Sequence, residues 1–145
     1  MKLSEAMNEL AGNSVQVSES GMYPAESAEA SVMIKFSNDA WLRADYWRLL
    51  LKGKGTYSSF DHQQRYGLPA SFDAIAELRA ALEDKKVEQA RWDSETGDLI
   101  LEFSGNLKLQ IFNFSGYEVW ELRFSNGTAQ YSNHARPMQN PHTLQ

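Results

Sequence analysis

The chain has 145 residues, of which 42% are hydrophobic and 12% aromatic. This length and composition indicate one globular domain with a substantial core and exclude a disordered chain. The sequence contains no cysteine, which excludes disulfide bonds, thiol nucleophiles and cysteine zinc sites and fits a reducing cytoplasm. No stretch approaches the length of a membrane span, and the polar N-terminus lacks the apolar run of a signal peptide. We therefore expect a cytoplasmic protein with no membrane partner.

The formal net charge of −5 falls mainly on the second half of the chain. Residues 67–134 carry 11 carboxylates and 6 lysines or arginines, whereas residues 1–66 carry 8 and 7. Nucleic-acid binding needs clustered cations that neutralise phosphates, so this imbalance argues against a nucleic-acid partner. An acidic second half favours a basic protein partner.

The first half opens with a predicted helix over residues 3–11, because its two leucines and one methionine share a helical face. The pair Gly12-Asn13 is typical of the point where a helix ends. Strands are predicted at residues 15–18 and 43–54, with a hairpin turn at 36–40 between them.

The second half repeats this order with stronger signals. Its helix is predicted over residues 71–83, with Ser71 as the N-cap and an apolar stripe along one face. A first strand is predicted at residues 87–92. Strict alternation of apolar and polar residues then predicts strand structure over 99–103, 107–111 and 120–124, and the turn Asn126-Gly127 leads to 128–131.

The two halves also repeat each other residue by residue. Val32, Ile34 and Phe36 align with Leu99, Leu101 and Phe103, and Ser37 aligns with Ser104. Trp47, Leu49 and Leu51 align with Trp120, Leu122 and Phe124, while Leu3, Leu10 and Val15 align with Ile75, Leu82 and Val87. A duplication of this kind explains most of a fold, because each copy offers the same apolar face for the other to cover.

We therefore predict an α+β fold with a single duplicated domain over residues 1–134 and a flexible tail over 135–145. The domain should consist of two αββββ repeats, 1–66 and 71–134, whose antiparallel sheets are related by pseudo-two-fold symmetry. The expected core contains Ile75, Leu78, Leu101, Leu109, Trp47 and Trp120.

The most acidic feature is the turn between residues 93 and 98, which carries Asp93, Glu95 and Asp98. Carboxylates at alternating positions favour a basic partner or a calcium ion. The turn lacks the ligand count and glycine placement of an EF-hand, so we expect no metal there. The alternative is an ordinary solvated turn.

The insertion at residues 113–118 has no counterpart in the first repeat, and departures from the repeat are where a function is expected. Phe112 and Phe114 have the strand parity opposite to that of the core residues, so they should emerge on the less buried side, near Tyr117. Glu118 shares the parity of Trp120, which directs it toward the core unless the strand begins later and leaves it in water. We predict these residues and the acidic turn as partner-binding sites.

The main candidates for catalysis or metal binding are His62 and His134, which end similar turns in the two repeats. Paired histidines can act as acid and base or bind a metal, but duplication explains their placement more simply. The metalloprotease, nucleophile-elbow, phosphate-loop and dinucleotide motifs are absent from the sequence. We predict a protein without catalytic activity, cofactor or bound metal.

The segment TGDLILEF…NFSGYEVWEL, residues 96–122, resembles a β-meander that recurs in small bacterial proteins. Small, acidic, cysteine-free proteins of this kind resemble immunity proteins of contact-dependent and polymorphic toxin systems. The resemblance implies a cytoplasmic protein that binds and neutralises a cognate toxin, and a nuclease toxin would suit an acidic inhibitor.

The duplicated plan is also similar to the Whirly fold, whose members bind single-stranded nucleic acid. The segment 43–54 mixes cations with Tyr46 and Trp47, as a single-strand platform would, although Trp47 belongs to the core pattern. Single-stranded nucleic-acid binding is therefore the alternative function, and an enzyme with an unfamiliar pocket is the third.

Overall fold

The fold consists of two antiparallel β-sheets of five strands each, with few helices. We describe it from a computed structural model, which covers residues 2–21, 29–113 and 118–132. The predicted tail at 135–145 and His134 lie outside the described residues. Within the described part, the fold is α+β and mostly β.

The first sheet has the spatial strand order β1–β2–β3–β9–β10. Its strands are β1 (Val15–Glu19), β2 (Val32–Phe36), β3 (Trp41–Ala44), β9 (Trp120–Arg123) and β10 (Ala129–Tyr131). The second sheet has the order β5–β4–β8–β7–β6. Its strands are β4 (Trp47–Leu51), β5 (Lys54–Ser58), β6 (Val87–Trp92), β7 (Leu99–Phe103) and β8 (Leu107–Ile111).

The described residues thus form ten strands, five in each half, and the prediction of four strands per repeat is wrong. The difference in the first half arises at residues 43–54, which were predicted as one strand. The chain breaks at Asp45 and Tyr46 and turns at Lys52 and Gly53, both of which have positive φ. A left-handed pair of this kind closes a tight hairpin, so the segment contributes to β3, β4 and β5 in turn.

Two short helical segments accompany the sheets. The predicted N-terminal helix forms as α1 (Leu3–Ala6) followed by a 3₁₀ helix (Met7–Leu10), and its apolar face is buried. The second helix, α2 (Ala74–Leu82), begins three residues later than predicted. Asp73, and not Ser71, caps it, because the Asp73 carboxylate accepts a hydrogen bond from the Ala76 amide at 2.9 Å.

Each sheet takes three strands from one half of the chain and two from the other. In the first sheet β3 pairs with β9, which sets Leu42 opposite Leu122. In the second sheet β4 pairs with β8, which sets Leu49 opposite Leu109. The alternation in β7 and β8 turns one row of side chains inward, and the six core residues predicted from the sequence are all buried.

The two halves make corresponding contacts around their buried tryptophans. The Trp47 indole N–H donates to the Ala30 carbonyl at 2.9 Å, and the Trp120 indole N–H donates to the Gly97 carbonyl at 3.0 Å. Each acceptor lies two residues before a strand that aligns in the repeat. A hydrogen bond lets a bulky indole be buried without leaving its polar atom unpaired.

Corresponding serines follow the same pattern. Ser37 accepts from the Ser14 amide through its hydroxyl and donates its own amide to the Ser14 carbonyl. Ser104 makes the same two contacts with Lys86. Ser14 and Lys86 in turn form an isolated antiparallel bridge, which joins the two sheets where β1 and β6 begin.

Replacement of Trp120 by alanine should lower the free energy of unfolding by about 3–5 kcal/mol, because the change empties a buried site of aromatic size. Trp41→Ala is the control, since Trp41 is only half-buried and should cost less. Urea denaturation of the purified variants measures both. Equal losses at the two positions would contradict the placement of Trp120 in the core.

Candidate functional site

The acidic turn between β6 and β7 uses two of its three carboxylates to hold its own backbone. The Asp93 carboxylate accepts hydrogen bonds from the amides of Glu95 at 2.9 Å and Thr96 at 3.3 Å. The Asp98 carboxylate accepts from the Asn113 amide at 2.7 Å. Glu95 is exposed at the tip, so of the three predicted carboxylates it is the one whose charge is directed only at solvent.

The acidic turn and the start of the insertion lie together, a point that the sequence did not decide. Besides the bond to Asp98, the Asn113 side chain donates to the Thr96 carbonyl at 3.1 Å. Phe112 is half-buried against the core, with the Arg48 guanidinium 5.3 Å from its ring centroid. Phe114 and Tyr117 lie outside the described residues.

Glu118 is exposed just before β9 begins, so the strand parity does not carry it into the core. Its carbonyl accepts a hydrogen bond from Arg43 at 3.3 Å. Its charge acts on Tyr131, whose pKa is raised by desolvation first, then by Glu121 and to a smaller extent by Glu118. Glu118 therefore adds negative charge at this end of the first sheet.

His62 has a structural contact where the sequence allowed a catalytic one. The side chain is buried, and its Nδ1 accepts a hydrogen bond from the Ala74 amide at 3.1 Å, at the start of α2. A nitrogen occupied in this way is not available as a general base or a metal ligand. Across residues 2–21, 29–113 and 118–132, no three histidine, aspartate or glutamate side chains cluster as a metal site would require.

A buried ion pair lies where the sequence suggested a nucleic-acid platform. Arg43 is 1% exposed and donates to the Asp45 carboxylate at 3.0 Å, and Ser31 donates to the same oxygen at 2.7 Å. Burial raises the pKa of Asp45, while Ser31 and Arg43 oppose that rise. Because Arg43, Tyr46 and Trp47 are all buried, these residues do not form a surface on which bases could stack.

The clearest apolar opening is a groove of about 350 Å³ between α2 and the edge of the second sheet, which we call the α2 groove. The sheet contributes Leu49, Leu51, Thr56, Tyr57 and Leu107, and the helix contributes Glu77, Ala80 and Ala81. Leu51 is 43% exposed although its strand parity directs it toward the core. The short side chains of Ala80 and Ala81 leave this side of the sheet uncovered.

Tyr57 and Glu77 define the polar margin of the α2 groove. The Tyr57 ring packs edge-on against Phe72, with centroids 5.3 Å apart, and against Trp47 at 6.2 Å. Desolvation, followed by the negative charge of Glu77, raises the pKa of the Tyr57 hydroxyl to about 12. Glu77 is exposed, and no cation in the described part of the chain forms an ion pair with it.

At the first sheet, the position that corresponds to the α2 groove is closed by side-chain contacts. The alignment of Leu10 with Leu82 sets Glu9 against Ala81. The Glu9 carboxylate accepts hydrogen bonds from the Asn38 side chain at 2.9 Å and the Ser125 amide at 3.1 Å, which ties the 3₁₀ helix to two hairpin turns. Alanine cannot make these bonds.

The difference between Glu9 and Ala81 is accompanied by a difference in exposure at two aligned apolar residues. Phe124, directly after β9, is 3% exposed, whereas Leu51, which aligns with it, is 43% exposed. Sequence reasoning missed these residues: Leu51 was assigned to the packing of the repeat, and Tyr57 and Glu77 were not singled out. The available signal was the change from Glu9 to Ala81 between two helices that align at their terminal apolar residues.

In comparisons with protein-family models, with curated proteins and with solved structures, no significant match to this chain was found. The described part of the chain contains no helix with the length and apolar character needed to cross a membrane.

Tyr57 should make stability depend on pH in the alkaline range. Its ordinary pKa of 10.0 is raised to about 12, so between these values the folded state holds a proton that the unfolded state has lost. This contribution is fully present below pH 10 and is lost as the pH rises through 12. Urea denaturation at intervals from pH 9 to 12 should show a steeper loss in the parent than in Tyr57→Phe. Parallel curves for the two proteins would contradict the raised pKa.

Proposed function

We propose that this protein is a non-enzymatic binding module that neutralises a basic bacterial toxin in the cytoplasm, as an immunity protein does. The observation that carries the proposal is the α2 groove, where Leu51 is exposed although the aligned Phe124 is buried. An apolar side chain in a recess with a polar margin is typical of a protein-binding hot spot. The net charge of −5 fits a basic partner.

We infer further that the two sheets are related by a pseudo-two-fold axis, as internal duplication would produce. Exchanging strands β1–β5 with β6–β10 converts the strand order of one sheet into that of the other. The corresponding bonds of Trp47 and Trp120, and of Ser37 and Ser104, support this relation. A loss of stability in Trp47→Ala that matches the loss in Trp120→Ala is the expected consequence.

The alternative of single-stranded nucleic-acid binding has less support. Of the cations and aromatics that suggested it, Arg43, Tyr46 and Trp47 are buried. Arg48, Lys52 and Lys54 stay exposed, but the rings of the same segment, Tyr46 and Trp47, are buried and cannot stack on bases.

Replacement of Leu51 by glutamate should abolish neutralisation. The toxin to test is the product of the gene next to this one, induced in a bacterial host with and without this chain. Truncation of a central anchor typically costs about 2 kcal/mol or more, so binding should weaken by roughly thirtyfold or more. Growth after induction, and calorimetry with a catalytically dead toxin, measure the effect.

The control is Leu68→Glu, because Leu68 is 49% exposed and lies outside the groove, in the connector between the halves. It should protect the host like the parent chain. A neighbouring product that is not toxic, or a Leu51→Glu variant that still protects, would refute the proposal.

The acidic turn should act on the rate of association. Glu95→Lys should slow association with a basic toxin severalfold at low salt and less at high salt, because long-range attraction is screened. Glu95 is the suitable position, since lysine at Asp93 or Asp98 would also remove backbone hydrogen bonds. Stopped-flow mixing at several salt concentrations measures the rate. An unchanged rate at low salt would exclude the turn from the interface.

A further inference from the structure

The α2 groove combines an apolar floor with a negative charge that forms no ion pair among the described residues. Leu49, Leu51 and Leu107 form the floor on the sheet side, and Glu77 lies on the helix that borders it. Glu77 lines the groove beside Tyr57, and its charge adds to the desolvation that raises the pKa of Tyr57. A side chain entering the groove would therefore meet apolar surface and a carboxylate at the same time.

We propose that the α2 groove binds one apolar side chain of a protein partner together with a positive charge next to it, and that Glu77 selects the cation. This inference rests on the proposed function, whose partner is a basic protein. Charge complementarity decides the occupant: an anionic segment would be repelled by Glu77, and a neutral apolar one would leave its charge unpaired.

The comparison with the first half supports a groove that is kept open. Ala81, which lines the groove, aligns with Glu9, whose carboxylate accepts hydrogen bonds from Asn38 and Ser125. In the second sheet the corresponding turns bond to each other, with the Lys52 amide donating to the Asn106 carbonyl at 2.9 Å. The two turns are therefore joined by their own backbone, and Glu77 forms no ion pair among the described residues.

The test uses three small probes of equal chain length on the full protein: hexylammonium, hexan-1-ol and hexanoate. Titrations followed by the methyl NMR signals of Leu51 and Leu107 give their affinities. An exposed ion pair contributes up to about 1 kcal/mol, so hexylammonium should bind about two- to fivefold more tightly than hexan-1-ol. Hexanoate should bind more weakly than either.

The matched variants are Glu77→Gln and Glu83→Gln. In Glu77→Gln the advantage of hexylammonium over hexan-1-ol should disappear, while hexan-1-ol itself binds as before. Glu83 is exposed at the C-terminal end of the same helix, outside the groove, so Glu83→Gln should keep the advantage.

Three results would overturn the inference: no shift of the Leu51 methyls with any probe, equal affinity for hexylammonium and hexanoate, or an advantage that survives in Glu77→Gln. Each of these results can occur in a chain that still neutralises the neighbouring toxin. The toxin interface would then lie outside the α2 groove. Conversely, the chain can fail to protect the host and still show the Glu77-dependent preference for hexylammonium. That result would support the α2 groove as a binding site and refute the proposed toxin partner.

Discussion

The exchange of strands between the halves is the constraint on which the rest of the structure depends. Neither half completes a five-stranded sheet by itself, because the β4–β5 hairpin joins the second sheet through the pairing of β4 with β8, and the β9–β10 hairpin joins the first sheet through the pairing of β9 with β3. Each apolar face is covered only when both halves are in place. Folding of one half is therefore coupled to folding of the other, and the single core spans the whole described chain.

The exchange of strands also explains why polar groups are buried where the chain crosses between the sheets. Where the chain passes from one sheet to the other, at Asp45 and Tyr46, backbone groups must find partners across the junction. The Asp45 amide donates to the Val119 carbonyl, and the Phe112 amide donates to the Tyr46 carbonyl. Arg43 and Asp45 stabilise this crossing as a buried pair, whose loss on one side would leave an uncompensated charge.

The α2 groove is the exception to this closed packing, and it arises from side-chain length. A carboxylate at residue 9 reaches two hairpin turns, whereas the methyl group of Ala81 reaches none. The apolar surface left open lies beside a helix whose only groove-lining charge is negative. An acidic protein that exposes an apolar recess in this setting is suited to a partner that brings both apolar and cationic groups.

The sequence by itself determined the fold class, the antiparallel strands, the two helical segments and the identity of the core, because alternation and helical periodicity are local properties of the chain. It also located the acidic turn. Only the tertiary structure decided that 43–54 divides among three strands, that Asp93 and Asp98 hold their own turn, and that Glu118 lies in water. It alone showed that Leu51 is exposed, because exposure depends on which side chain of a distant helix lies above a strand, and no local pattern records that distance.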